Sequence, residues 1–330
     1  RRHWDNFLLD KTRPDWNENT HITSVYGGQF KNRRDMDWLN LAWGLDFAHD
    51  KITSTSLSCH SREREAFFLE LGRIWEEKYI FNLGLREDYY SDWVGEFSPN
   101  LDLGYIVTQD LKLRYSLGRS FRVPSYTELY YRDAGNIGDA NLICEHNLSW
   151  EIGLDKKQNF GLLGLTFFQR RTEDTIDWVR ENNSQPWQAK NSGRILFEGI
   201  EFDCCPQNRE NAVFSLSRFG YTYIESNRKS DSVASLSKYA LDYLRHQFTL
   251  GIRNILPFDF IQNWNLSYKE RVNSGKWFLL DSRISKAIFK NRVKYEIFLE
   301  GTNLTNANYK EITDVAMPGR WLAFGVRTEF

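Results

Sequence analysis

Aromatic and cationic side chains gather in the polar stretches of this 330-residue chain: Tyr130, Tyr131 and Arg132 stand in a row, and Trp178 and Trp187 flank a run of Glu, Asn and Gln. Rings and a guanidinium presented together hold a solute by stacking and cation–π contact, and the same residues also build the aromatic band of a lipid–water boundary. A second set places charges at alternate positions of otherwise apolar segments: Arg114, Glu151, Arg283, Glu296 and Glu300. Such charges either keep a hydrated face wet or hydrogen-bond a partner lying against it. Catalytic chemistry has no candidate. The histidines (His3, His21, His49, His60, His146, His246) are scattered, and no H-E-x-x-H, G-x-S-x-G, P-loop or G-x-G-x-x-G occurs. The cysteines (Cys59, Cys144, Cys204, Cys205) form no C-x-x-C and no zinc spacing. Cys59 and Cys144 are placed in loops, open to pairing or to remaining free thiols. No catalytic residue, metal site or cofactor is expected, and the chemistry on offer is recognition.

The elements that would carry these residues are strands. Read with a period of two, about sixteen segments alternate apolar and polar residues, separated by connections that are alternately short and long. Leu111, Leu113, Tyr115 and Leu117 alternate with Lys112, Arg114, Ser116 and Gly118, and Val293, Tyr295, Ile297 and Leu299 alternate with Lys294, Glu296 and Glu300. Composition agrees: aromatics reach 15% while mean hydropathy is −0.58, which suits a barrel with an apolar lipid face and a wet lumen. No run of about 18 apolar residues exists, which excludes a transmembrane helix but not a barrel. The net charge of −1 lacks the basic field that nucleic-acid binding needs. Short turns at Glu77, Asp110, Lys157 and Asn291 are expected on the periplasmic side. Longer loops around Asp15, Cys59, Ala134, Asn183 and Ala316 are expected outside.

The stretch Leu117 to Glu151 holds an Arg122-x-Pro124 block, the run Glu128-Leu129-Tyr130-Tyr131, a Gly135-Asn136 pair, and then Asn141, Leu142 and Glu145. This pattern resembles the "F-R-x-P" and "G-N" blocks that join two barrel strands in TonB-dependent outer-membrane receptors, with Ile137 and Cys144 standing where that pattern has prolines. The opening RRHWDNFLL, the following NENTHITSVYGG, the Gly199-Ile200-Glu201-Phe202 set and the closing strand ending at Phe330 are also similar. The resemblance covers essentially the whole chain.

The resemblance implies an all-β transmembrane antiparallel barrel, about 16 strands of an expected 22, forming one domain over residues 1–330. It implies a plug domain outside this chain, upstream of Arg1, so that the chain is a fragment rather than a mature product. Arg114, Arg122, Glu128, Glu151, Arg283, Glu296, Glu300 and Arg320 would then face the lumen and the plug, and Tyr130, Tyr131, Arg132, Trp178 and Trp187 the outside. Implied partners are outer-membrane lipid, the TonB complex acting through the plug, a small-molecule solute, and the barrel assembly machinery, which would read Phe330. The implied activity is TonB-energised uptake of a scarce, large solute. The opening strands point to the cobalamin or ferric-siderophore branch. A passive porin-like channel or adhesin, and a secreted carbohydrate-binding or carbohydrate-cleaving β-protein, are the rival classes.

Overall fold

The computed structural model describes residues 1–8, 10–13, 18–207, 212–229, 236–238, 240, 242–290, 293–312 and 315–329. Its first strands are β1 (Arg2–Leu8), β2 (Glu18–Asp35), β3 (Asn40–Ser54), β4 (Ser58–Trp75), β5 (Tyr79–Tyr90), β6 (Glu96–Thr108) and β7 (Leu111–Arg122). A short helix α1 (Tyr126–Tyr130) and β8 (Asn136–Ile137) lead to β9 (Glu145–Gln158) and β10 (Gly161–Glu173). Next come β11 (Ile176–Arg180), β12 (Trp187–Asn191), β13 (Arg194–Pro206), β14 (Phe214–Lys229), β15 (Leu236–Ser237) and β16 (Leu244–Leu256). A 3-10 turn at Pro257–Asp259 precedes β17 (Phe260–Arg271), β18 (Gly275–Lys290), β19 (Val293–Thr302), β20 (Lys310–Ile312), β21 (Val315–Ala316) and β22 (Trp321–Glu329).

Sixteen of these strands form one antiparallel meander, each pairing with the next long strand in the chain, and β1 and β22 are its two edges among the described residues. The expected strand number and alternation are met. The register aligns the apolar face across neighbours: Leu103, Tyr115, Ile152 and Phe167 lie in one row, and Tyr105, Leu113, Leu154 and Leu165 in another. Ile152 and Phe167 remain 52% and 54% exposed, so this face has no protein partner to bury it. Arg114, Ser116, Glu151 and Thr166 occupy the opposite face.

Several strands run farther than the apolar alternation predicts. Cys59, expected in a loop, lies in β4 opposite Thr53, and the connection is a tight turn at 55–57. The reason is visible in Ser61-Arg62-Glu63-Arg64-Glu65: both faces are polar there, so the strand continues without an apolar period. Lys157 likewise lies in β9, and the turn follows at 159–160. The turn at Glu76 and Glu77 is as expected, with both residues at positive φ (52° and 53°), the twist that two-residue hairpins favour. The expected sites Asp15 and Asn291 lie outside the described residues.

Above the long sheet sits a smaller one of four strands, ordered β15-β11-β12-β8, in which β8 joins β12 in parallel. Its core is Leu129, Leu142, Ile176, Trp178 and Ala189, with Trp93, Tyr131 and Trp187 packed against it. Three connections separated widely in sequence thus fold together as one cap.

Candidate functional site

The mouth of the sheet is built from the Arg122 block upward. Ser125 caps α1 in a capping box: its Oγ accepts from the Glu128 amide, and the Glu128 carboxylate accepts from the Ser125 amide at 2.8 Å. Arg122 reaches that carboxylate from β7, its Nη1 donating to both oxygens at 3.0 Å. Its Nη2 donates to Glu145 at 3.4 Å and to the Ile176 carbonyl at 3.3 Å, while Glu145 accepts from the Ile176 amide at 2.9 Å. One guanidinium therefore ties β7, β9, α1 and β11 together. Arg122 and Glu128, expected to face a plug, are matched to one another and to the cap.

A second arginine, Arg62, was not singled out by its sequence. It is 6% exposed, stacks over Trp93 at 4.2 Å and Tyr126 at 5.0 Å, pairs with Asp92 at 3.3 Å, and donates to the carbonyl of the fully buried Pro124 at 3.1 Å. The signal is absent from the sequence because its partners come from two other connections. Burial of an arginine in this way requires that its charge and its donors be satisfied together.

The expected solute-gripping residues divide. Trp178, expected among the ligand contacts, is 8% exposed and belongs to the cap core with Leu129 and Ile176. Its neighbour Asp177 is buried too, accepting from the Trp178 amide and the Ser237 hydroxyl. Tyr130 stays at the surface, stacked on His60 with ring centroids 3.7 Å apart. Tyr131 is half-buried and donates to Asp133 at 3.0 Å. Arg132 is exposed beside its bridge to Ile137, and Trp187 carries the Arg180 guanidinium 4.2 Å above its ring.

On the polar face, Arg114 lies across Gly153 to reach Thr166 two strands away at 2.6 Å, and also bonds Glu151 at 3.3 Å and Asp155 at 3.1 Å. Arg283 makes the matching set near the other edge, to Glu296 at 3.0 Å and Glu300 at 3.1 Å. Each of these two arginines is thus ion-paired to two carboxylates along the wall. Arg320 is exposed, its amide donating to Asn306 at 2.9 Å, and Phe330 lies outside the described residues.

Electrostatics in the cap follow burial and hydrogen bonding. Burial pushes the Cys144 thiol up to about 11, with the nearby Glu96 carboxylate adding to the effect. Burial acts to raise Asp133 as well, but donation from Gly135, Asn136 and Tyr131 outweighs it and holds that carboxyl below its usual range. All four cysteines are free thiols. Among the described residues, no group of three or more His, Cys, Asp or Glu side chains is placed to hold a metal ion.

The family model for the TonB-dependent receptor-like β-barrel matches residues 2–314. The chain belongs to the TonB-dependent receptor β-barrel family. It is accordingly a barrel protein of the bacterial outer membrane, in a family of receptors and transporters. Among curated relatives it is 26% identical over 258 residues to the vitamin B12 transporter BtuB of Photobacterium profundum, covering 73% of this chain and 39% of that one. It is 24% identical over 217 residues to the ferrienterobactin receptor of Escherichia coli, covering 59% of this chain and 29% of that one. A crystal structure of a ferric enterobactin receptor from Pseudomonas aeruginosa, solved with enterobactin, superposes with a TM-score of 0.73 at 15% identity, over 99% of this chain and 58% of that one. The siderophore receptor PirA of the same organism gives 0.71 at 14% identity, over 95% and 56%. This receptor chain spans well under half the length of the vitamin B12 transporters it matches, 39% and 30%.

Proposed function

We propose that the chain is the greater part of the barrel of a receptor that takes up a scarce, large solute of the cobalamin or ferric-siderophore class, energised by the TonB complex through a plug domain. The observation that carries this reading is the family match over residues 2–314, joined to relatives named for exactly those two solute classes. The mouth supports it: the cap presents Tyr130, Arg132 and the Trp187–Arg180 pair, and these are the proposed solute contacts. The self-matched charges around Arg114 and Arg283 form the hydrated wall against which a plug would sit. Residues 1–330 act as one domain without catalytic activity, and the barrel assembly machinery inserts it by reading its terminal strand.

The test is uptake by cells lacking the gene and by the same cells carrying it. Gene-dependent accumulation of radiolabelled cyanocobalamin or of a labelled ferric siderophore, abolished by a protonophore, is expected. Accumulation that survives the protonophore would show a passive channel, and no gene-dependent accumulation of either class would refute the solute assignment.

A further inference from the structure

One stack of side chains at the mouth ends in an open ring. The Arg62 guanidinium lies over Trp93 at 4.2 Å and over Tyr126 at 5.0 Å. Beyond Tyr126 come His60, with its centroid 5.8 Å away and its plane tilted by 22°, and then Tyr130. His60 and Tyr130 are nearly parallel, with centroids 3.7 Å apart and planes at 3°, so nothing fits between them. Tyr126 is 6.4 Å from Tyr130, and with the other two separations this places Tyr126 on the His60 side of the Tyr130 ring. Tyr130 is nevertheless 36% exposed. Its accessible surface is therefore the face turned away from His60, with the ring edge.

Neither ring owes its place to the other. His60 stands on β4 opposite the buried Ile52, and its Nε2 donates to the Leu57 carbonyl at 2.6 Å. A carbonyl only accepts, so that nitrogen carries the proton and the ring is tied within its own hairpin. Tyr130 closes α1, which is held by the Ser125 capping box and by Arg122 on Glu128. Leu129 before it and Tyr131 after it pack in the cap core, and the Tyr126 hydroxyl one turn back donates to the Asp50 carbonyl at 3.4 Å. A ring fixed in this way, with its inner face already covered, loses little freedom when another ring is laid on its outer face.

The register says which side of the wall this is. Gly72, Asn82, Asp102 and Ser116 form one row on the polar face, and His60 lies an even number of residues from Gly72 along β4. Tyr130 therefore stands over the wet mouth, away from the aromatic band of a lipid boundary. We propose that the outer face of Tyr130 is a stacking subsite for a planar aromatic ring of the solute, and that His60 is its positioning residue. The His60 ring sets the plane of Tyr130, and so the plane that an incoming ring must match. This rests on the reading of the mouth as a solute site. The ring chemistry occurs in both solute branches, as the benzimidazole of a cobalamin and the catechol of a catecholate siderophore. A ferric hydroxamate has no such ring and gains nothing from the platform.

The experiment measures equilibrium binding to the receptor purified from cells carrying the whole gene. The probes are cyanocobalamin, a ferric catecholate siderophore, and ferrioxamine B as the aryl-free ferric hydroxamate. One of the two aryl solutes should bind, and ferrioxamine B should bind about ten-fold more weakly or not at all. Tyr130→Ala and His60→Ala should each weaken the aryl solute about three- to ten-fold, the worth of one aromatic pair. His60→Phe keeps the stack and should stay within about two-fold of the wild-type affinity. In cells, His60→Ala should raise the KM of uptake by the same factor and leave the maximal rate unchanged, which a mere loss of folded receptor would not do. If His60→Ala loses its heat-modifiable migration, Tyr130→Leu, which removes the ring and keeps the bulk, decides the matter. Wild-type affinity in Tyr130→Leu, equal losses in His60→Phe and His60→Ala, or binding of ferrioxamine B as tight as that of the aryl solute overturns the subsite. Failure of both aryl solutes to bind overturns it as well, and protonophore-sensitive uptake of ferrioxamine B would then leave the transport reading standing.

Discussion

Replacing Arg122 by Met should loosen the cap and leave the barrel standing. The side chain makes two good bonds to Glu128 at 3.0 Å and two weaker ones, at 3.4 and 3.3 Å, to Glu145 and Ile176. Bonds to charged groups contribute about 1.5–3 kcal/mol each when buried, but the arginine is 41% exposed, so solvent screening reduces the sum. The carboxylates also keep partners, Ser125 for Glu128 and the Ile176 amide for Glu145. A net local loss of about 2–3 kcal/mol is expected, since Glu128 and Glu145 are only 13% and 14% exposed and lose their cation. Because that loss falls on a small unit with its own core, it should appear as local opening rather than global unfolding. At about 1.4 kcal/mol per factor of ten, amides in residues 176–191 should exchange roughly 30- to 140-fold faster. Those in β3 and β4 should be unchanged. Hydrogen exchange read by mass spectrometry measures both in one experiment. Unchanged exchange across 176–191 would show that the cluster does not hold the cap, and uniform acceleration would show that cap and barrel are one cooperative unit.

Other expectations follow from single sites. An added Cβ at Gly153 would lie 2.6 Å from the Arg114 guanidinium carbon, so Gly153→Ala should displace that side chain from Thr166 and Asp155 and cost about 1–2 kcal/mol in denaturant unfolding. Gly28, with nothing within 4 Å of its added Cβ, should tolerate the same change, and equal costs at both would refute the crossing. With its thiol pushed up to about 11 and 3% exposed, Cys144 should resist maleimide at neutral pH until the protein unfolds, whereas exposed Cys59 labels at once; early labelling of Cys144 counts against the buried cap. Leu113→Arg on the lipid face should cost about 2–4 kcal/mol and Ser116→Arg on the wet face far less, and equal penalties would mean the faces are reversed. The depressed carboxyl of Asp133 stabilises its loop above the unfolded value of about 3.9, and that contribution is lost as pH falls through the folded value. Protection of Gly135 and Asn136 relative to their intrinsic exchange should therefore fall on acidification, and Asp133→Asn should remove the dependence.

The period of two was enough to find sixteen strands and to sort their faces, because in a barrel each strand meets lipid on one side and water on the other. Val293, Tyr295, Ile297 and Leu299 against Lys294, Glu296 and Glu300 needed no knowledge of neighbours. The Arg122–Glu128–Glu145 block was legible as a pattern, and the structure supplies the reason for the residue types: one planar donor must satisfy two carboxylates and a carbonyl. What alternation left hidden lies where strands rise clear of the membrane. There both faces are polar, so β4 passes through Arg62 and Cys59 without a periodic mark. The cap was illegible for a related reason. Whether Trp178 faces a solute or a core depends on β8 meeting β12 in parallel and on Leu129 and Leu142 arriving from one connection and Ala189 from another, and Arg62 finds Trp93, Tyr126 and Pro124 in the same way. Local sequence sets which face of a strand a side chain takes, but which distant chain segment covers that face is decided only when the connections pack together.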